Sequence, residues 1–166
     1  MRRTERPVNR CECGDHDWKV LTKGFVTLVS PEDAPTLERY GWFSIPTRSS
    51  GKHVYAQARV NITPTLLHRV LLDPPTGMVC DHRNGNTLDN RRPNLRVCTR
   101  EQNQYNKRPI RNGPRGVYRD KKCWVAEIKK DGKRRKLGYF KTEDEAAEAY
   151  RRAALEAFGE FAYEAR

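Results

Sequence analysis

Residues 79–103 read VCDHRNGNTLDNRRPNLRVCTREQN, and this stretch decides how the middle of the chain folds. Val79-Cys80 leads as a short strand into the Asp81-His82 pair. Asn84-Gly85-Asn86 then supplies a sharp turn, because glycine and asparagine tolerate the left-handed backbone. After a polar loop, Leu95-Arg96-Val97 reads as a return strand. Thr99 with Gln102 fits a capping box and starts a helix that carries Asn103 and Asn106. Strand, turn, strand and helix in one short segment make a compact scaffold for a metal ion.

Phosphodiester cleavage needs a base for water, a cation to offset developing charge, and support for the leaving oxygen. Asp81, His82 and one asparagine cover these roles. A hard cation such as Mg²⁺ takes oxygen ligands, often only one or two of them from protein, with phosphate and water filling the rest. One carboxylate and one amide oxygen therefore form a weak site that a nucleic-acid phosphate completes. His82, with a reference pKa of about 6.5, is able to be neutral and accept a proton from water. The competing reading is a polar hairpin whose asparagines satisfy backbone groups, and Asn84, Asn86 and Asn90 are assigned that role.

Upstream, residues 1–19 are polar, charged and without periodicity, and read as a tail. Residues 20–62 read as a small α+β subdomain without visible chemistry. Val20 to Val29, Trp42 to Ile45 and the alternating His53 to Ala58 are its strands, with a turn at Ser49-Ser50-Gly51-Lys52. A short helix runs from Ser30-Pro31 to Tyr40, since proline at the first helical position and early acids favour a start. Thr63-Pro64 opens a further predicted helix, with Leu66, Leu67, Val70 and Leu71 at core spacing and a stop at Asp73-Pro74-Pro75. His68 on that helix reads as structural or solvated, with a DNA-backbone contact or a direct catalytic role as the alternatives.

The chain has 166 residues and a formal charge of +12, with a pI near 9.8. Such a charge attracts polyanions at physiological pH, so nucleic acid is the expected partner. An apolar fraction of 36% favours modest cores. No apolar run approaches the ~20 residues of a membrane span, and the basic N-terminus lacks the apolar stretch of a signal peptide. The expectation is a soluble intracellular protein of the cytoplasm or nucleoid, with no membrane partner. Five scattered cysteines argue against a disulfide framework. Cys11, Cys13 and His16 are candidate zinc ligands, but C-x-C lacks the usual spacing and a fourth ligand is not evident. Incidental thiols in a loose tail are expected there, without structural zinc. Cys80 and Cys98 read as small core residues.

Residues 107–114, KRPIRNGP, are basic and carry two prolines and a glycine; 109–114 is read as the linker, following a central domain over 63–108. Gly116-Val117-Tyr118, Cys123 to Ile128 and Arg134 to Phe140 are three strand candidates, the last two joined by the Asp131-Gly132 hairpin signal. Thr142-Glu143-Asp144-Glu145 is a capping box, followed by an alanine-rich helix that Gly159 terminates. Ala147, Tyr150, Ala154 and Phe158 repeat at helical spacing and are expected to pack on the sheet. Lysines and arginines crowd residues 115–141. With the helix on one face, much of that charge belongs on the other, where a twisted sheet enters the major groove and arginine reads guanine. Trp124 offers a flat surface for sugar or base contact. The alternative is a solvated, sequence-neutral face.

The central segment resembles the HNH nucleases, specifically the homing-endonuclease branch whose motif runs DHxNGxxLDNRxxNLRxxTxxxNxxN. Asp81, His82, Asn84, Gly85, Leu88, Asp89, Asn90, Arg91, Asn94, Leu95, Arg96, Thr99, Asn103 and Asn106 match it. The resemblance implies a ββα-metal finger with His82 as general base, Asp81 as a metal ligand and Asn103 as the second ligand, Asn106 being the alternative. Asn94 corresponds to the structural residue that ties the loop and helps orient His82. The chain departs from the wider group in ending the motif with asparagine and in lacking the paired C-x-x-C zinc site. The first departure favours a single hard cation, Mg²⁺ or Mn²⁺.

Residues 115–162 resemble the ethylene-response-factor (APETALA-type) DNA-binding domain through RGV, W-x-AEI, LG-x-F, T-x-E-x-AA-x-AY and AA. By that resemblance Arg115, Glu127, Lys129, Arg134, Lys136 and Tyr139 take sheet positions used for DNA contact, with Trp124 beside them. Arg119 is a further candidate, although the shorter first hairpin blurs its alignment, and Lys136 stands where a tryptophan is usual.

Taken together, the expectation is an α+β chain: a strand-rich N-terminal region, the nuclease finger, and a three-stranded antiparallel sheet packed on one helix over 115–166. Its expected function is a site-directed, metal-dependent endonuclease on double-stranded DNA. One finger per chain implies nicking by a monomer or weak dimer. The alternatives are a sequence-specific DNA-binding regulator with an inactive nuclease centre, and an RNA-binding protein.

Overall fold

The computed structural model describes residues 6–47, 53–107 and 113–163. The turn expected at Ser49 to Lys52 and most of the expected linker fall outside these residues. The chain divides into two compact units, Met1–Thr99 and Arg100–Arg166.

The first unit opens with β1 (Val8–Arg10) and β2 (Asp17–Val20), an antiparallel hairpin. Residues 8–10 and 17–19 of the segment read as a polar tail are thus strand. Its strands lack apolar alternation, and their order comes from pairing with β3 (Val26–Val29). Even polar side chains are drawn inside: Asp17 and Lys19 are buried, and Lys19 Nζ donates to the carbonyl of Leu37. A 3-10 turn at Pro31–Asp33 leads into α1 (Ala34–Arg39), with Pro31 at its start as expected.

The next sheet has the order β4 (Phe43–Pro46), β5 (Val54–Val60), β6 (Thr63–Leu66). The helix expected to open at Thr63 begins only at Leu67, as α2 (Leu67–Leu72). Asn61 and Ile62 adopt positive φ values of 46° and 72° and reverse the chain, so residues 63–66 pair with β5. Pro64 is tolerated because β6 is an edge strand. Asp73, at φ 41°, ends α2 before the prolines.

The quoted central stretch forms β7 (Val79–His82), β8 (Asp89–Asn90) and β9 (Leu95–Cys98). β7 and β9 pair antiparallel, setting Asp81 opposite Arg96 and His82 opposite Leu95. β8 runs parallel to β3, joining the N-terminal sheet. The far end of the loop is clamped by Arg92, whose guanidinium meets the buried carboxylate of Asp33 at 2.7 and 2.8 Å. Leu21, Val29, Leu37, Trp42, Ala58, Leu67 and Leu95 belong to one buried cluster. Residues 20–62 therefore share a core with the central stretch.

The second unit begins with α3 (Arg100–Tyr105), which carries Asn103; Asn106 lies just beyond its end. β10 (Val117–Asp120), β11 (Cys123–Lys130) and β12 (Lys133–Phe140) form an antiparallel sheet in that order. Asp131 and Gly132 both take positive φ at the β11–β12 turn, as a two-residue hairpin requires. α4 (Glu143–Phe158) starts with the reciprocal Thr142–Glu145 capping box. The expected stripe of Ala147, Tyr150, Ala154 and Phe158 is buried, and α4 packs on Ala126 and Ile128 of β11. Gly116 marks the tightest approach, since a Cβ there would collide with the Tyr150 ring and the Glu127 carbonyl. The architecture is α+β, with a three-stranded antiparallel sheet on one helix.

Candidate functional site

His82 ends β7 with only 5% of its surface exposed. Its Nε2 lies 3.1 Å from Oδ1 of Asn90. The amide of Asn90 donates in turn to Thr27 Oγ1 at 2.9 Å, and that hydroxyl donates to the Leu88 carbonyl at 3.0 Å. This chain of bonds has one polarity. A carbonyl only accepts, so Thr27 donates to it, the Asn90 amino group points at Thr27, and the Asn90 oxygen faces the imidazole. His82 therefore carries its proton on Nε2, and the lone pair of the neutral ring lies on Nδ1.

Aromatic rings complete the enclosure. His68 meets His82 edge-to-face with centroids 5.1 Å apart, and Tyr55 packs against both, at 5.6 Å from His68 and 6.3 Å from His82. Burial holds the His82 pKa below its ordinary value, partly offset by the Asn90 bond and by Asp81. Burial likewise depresses His68, to about 3, with the His82 charge adding to the effect. Both rings are thus neutral at neutral pH, as a base for water must be.

Asp81 and Arg96 form a buried cross-strand ion pair, with both Nε and a terminal nitrogen of Arg96 on Oδ2 at 2.9 and 2.7 Å. Two charges so enclosed need each other, because either alone would be costly in low dielectric. Asn94 braces the loop: its Oδ1 accepts from the Asn84 amide at 2.9 Å and its Nδ2 donates to the Asp89 carbonyl at 2.7 Å. Burial acts to raise the pKa of Asp89, but the fork of Arg91 and the Asn84 amide outweigh it and hold the carboxyl below its usual value.

The structure brings Asp81, His82 and Asn94 together in the first unit, while Asn103 sits half-buried on α3 of the second. Asn90, read from the sequence as a turn former, hydrogen-bonds His82, while Asn94 holds the loop. Thr27 and Tyr55 had no signal of their own, because the segment they occupy carries no recognisable motif. A second correction concerns the N-terminus. Cys11, Cys13 and His16, expected as incidental groups in a loose tail, bring their ligand atoms within 4.8 Å of one another, because the β1–β2 hairpin folds them into one loop.

The basic sheet sorts its residues by register, since directly paired side chains share a face. Tyr118, Val125 and Tyr139 form one row, followed by Glu127 opposite Lys136 and Lys129 opposite Arg134. This outer face is turned away from α4. A bulge beside Ala126/Glu127 keeps Tyr139 on it. Lys136 Nζ donates to the Tyr139 hydroxyl at 2.7 Å, and Arg134 lies 3.5 Å from Glu127. Two expected DNA contacts differ. Trp124 packs against the α4-side core, with the guanidinium of Arg119 5.9 Å from its ring centre. Arg115 donates to the carbonyls of Gln104, Tyr105 and Lys107, capping the C-terminal end of α3.

Residues 73–105 match the family model described as HNH endonuclease. A protein of Acanthamoeba polyphaga mimivirus, described as an uncharacterized HNH endonuclease, is 31% identical over 147 residues, covering 84% of this chain and 74% of the relative. No solved structure matches. Among the described residues no helix is long and apolar enough to cross a membrane. A buried neutral histidine beside a paired aspartate, inside the matched segment of a chain aligned over most of its length, places this protein in the HNH endonuclease family, as a DNA endonuclease of that type.

Proposed function

We propose that this endonuclease is site-directed and of the homing type, and that it nicks double-stranded DNA with a single divalent cation, Mg²⁺ or Mn²⁺. The observation that carries the reading is the enclosed His82, kept neutral by burial and in one tautomer by Asn90 and Thr27. Asp81 and Asn103 would hold the cation, and the family match spans both. The donor set fits a hard ion: a carboxylate with one oxygen tied to Arg96, and an amide oxygen. When bound, that ion supplies charge for the developing phosphorane and the leaving oxygen. His82 takes the proton of the attacking water at Nδ1, while Asn90 and the rings of His68 and Tyr55 keep the imidazole from rotating. Arg96 fixes the orientation of Asp81, and Asn94 holds the loop that aligns the pair.

Residues 115–166 act in this proposal as an ethylene-response-factor-type domain that finds the target. Lys129, Arg134 and Lys136 with Glu127 and Tyr139 share the outer face, a pattern suited to phosphate and base-edge contacts. Arg115 keeps a supporting role through its bonds to the end of α3, and Arg119 with Trp124 lines the helix-side margin. Selection of cleaved sites from a random DNA library tests the reading. Wild type is expected to enrich a defined sequence, and a Lys129→Ala/Arg134→Ala variant to lose that enrichment while still nicking at random. If the variant enriches the same sequence as efficiently, the sheet does not select the target.

A further inference from the structure

The loop between β1 and β2 holds three soft ligands that the cleavage reaction leaves unused. Sγ of Cys13 lies 2.8 Å from Sγ of Cys11 and 3.5 Å from Nδ1 of His16. Backbone bonds set this loop: the Cys11 amide donates to the His16 carbonyl at 3.3 Å and the Gly14 amide to the Cys11 carbonyl at 3.1 Å. Gly14, at φ 74°, makes the reversal that returns His16 to the two sulfurs. Below it the pairing of Arg10 with Asp17 closes the hairpin.

We propose that Cys11, Cys13 and His16 form a binding site for one zinc ion, with water as the fourth ligand. Two thiolates and an imidazole suit zinc and disfavour the hard cation of the nuclease centre. Tetrahedral zinc with bonds of about 2.3 Å to sulfur and 2.0 Å to nitrogen places sulfur about 3.5 Å from nitrogen and sulfurs about 3.7 Å apart. The Cys13–His16 separation already meets the first value. The sulfurs must part by about 1 Å, a small χ1 adjustment for side chains at the surface. Their short contact is a hydrogen bond between two thiols, which raises the Cys11 thiol and lowers that of Cys13. On binding, two zinc–sulfur bonds and one zinc–nitrogen bond form, and the two thiol protons pass to solvent. Cys80 and Cys98 contrast with this pair, since burial pushes both up to about 11.

The site also has a place in the nuclease unit. Asp15, inside the loop, lines the same depression as Glu32, Asp89, Arg91 and Asn94, so a bound ion would fix the hairpin beside the segment that braces His82.

Cobalt(II) titration of the reduced, metal-free full chain tests the site without reference to DNA cleavage. The expected result is about one equivalent bound, with thiolate-to-cobalt charge-transfer absorption that zinc abolishes and that a Cys11→Ser/Cys13→Ser variant lacks. Alkylation of the unmodified chain, read by mass spectrometry, provides a measurement that needs no variant. Zinc is expected to slow labelling of Cys11 and Cys13 about tenfold or more. Absence of charge-transfer bands, an unchanged spectrum in the double variant, or equal labelling with and without zinc would each overturn the proposal.

Discussion

At His82 the Asn90 oxygen, 3.1 Å from Nε2, sets the proton position without adding charge. Replacing that amide with a carboxylate keeps the shape but favours imidazolium, so Asn90→Asp is predicted to raise the His82 pKa and cut single-turnover cleavage about 10- to 100-fold. DNA affinity, read by fluorescence anisotropy, should stay within about twofold. A comparable loss of affinity would mean that Asn90 shapes the binding surface instead. His68 gives a pH prediction. Its folded pKa is about 3, below the unfolded value of about 6.5, so below that value the unfolded chain binds the extra proton. The stability His68 contributes is complete above about pH 6.5 and is lost as pH falls towards the folded value. Thermal unfolding should therefore show a shallower acid decline in His68→Phe, and identical declines would refute the assignment. Asp81 and His82 were legible because their motif is local. Asn90 was not, because its second partner, Thr27, lies 63 positions away, and a turn-forming asparagine looks the same in sequence as a buried hydrogen-bonding one.

Among the elements, those coded by their own ends read most clearly. The Asp131-Gly132 hairpin and the Thr142 capping box carry their signals within a few residues, and both form. β1, β2 and β6 depend on pairing partners elsewhere, so polarity or a preceding Thr-Pro misleads. Register also separated Trp124 from the outer face, which composition alone could not do. Gly116 supplies the sharpest test of an element contact. A methyl group there meets the Tyr150 ring and the Glu127 carbonyl, at a backbone φ of 68°. Gly116→Ala is predicted to destabilise the second unit by about 1–3 kcal/mol or more, through overpacking and left-handed strain. Urea unfolding monitored over α4 checks this. A change below about 0.5 kcal/mol would show that β10 and α4 do not approach so closely.

Across the whole molecule, the net charge of +12 favours contact with any nucleic acid, whereas the proposed chemistry rests on a few groups around His82. The charge is common to DNA-binding regulators and nucleases alike, and only the enclosed histidine with its aspartate separates them. One such centre among the described residues is what the proposed cutting of a single strand would require. The most direct test is conversion of supercoiled plasmid to open circles by the purified chain with Mg²⁺ or Mn²⁺, beside His82→Ala and a chelated control. The account predicts metal-dependent nicking by wild type and a loss of about 100-fold or more in His82→Ala, with DNA binding retained. Equal nicking by wild type and His82→Ala, or none by either, would contradict it.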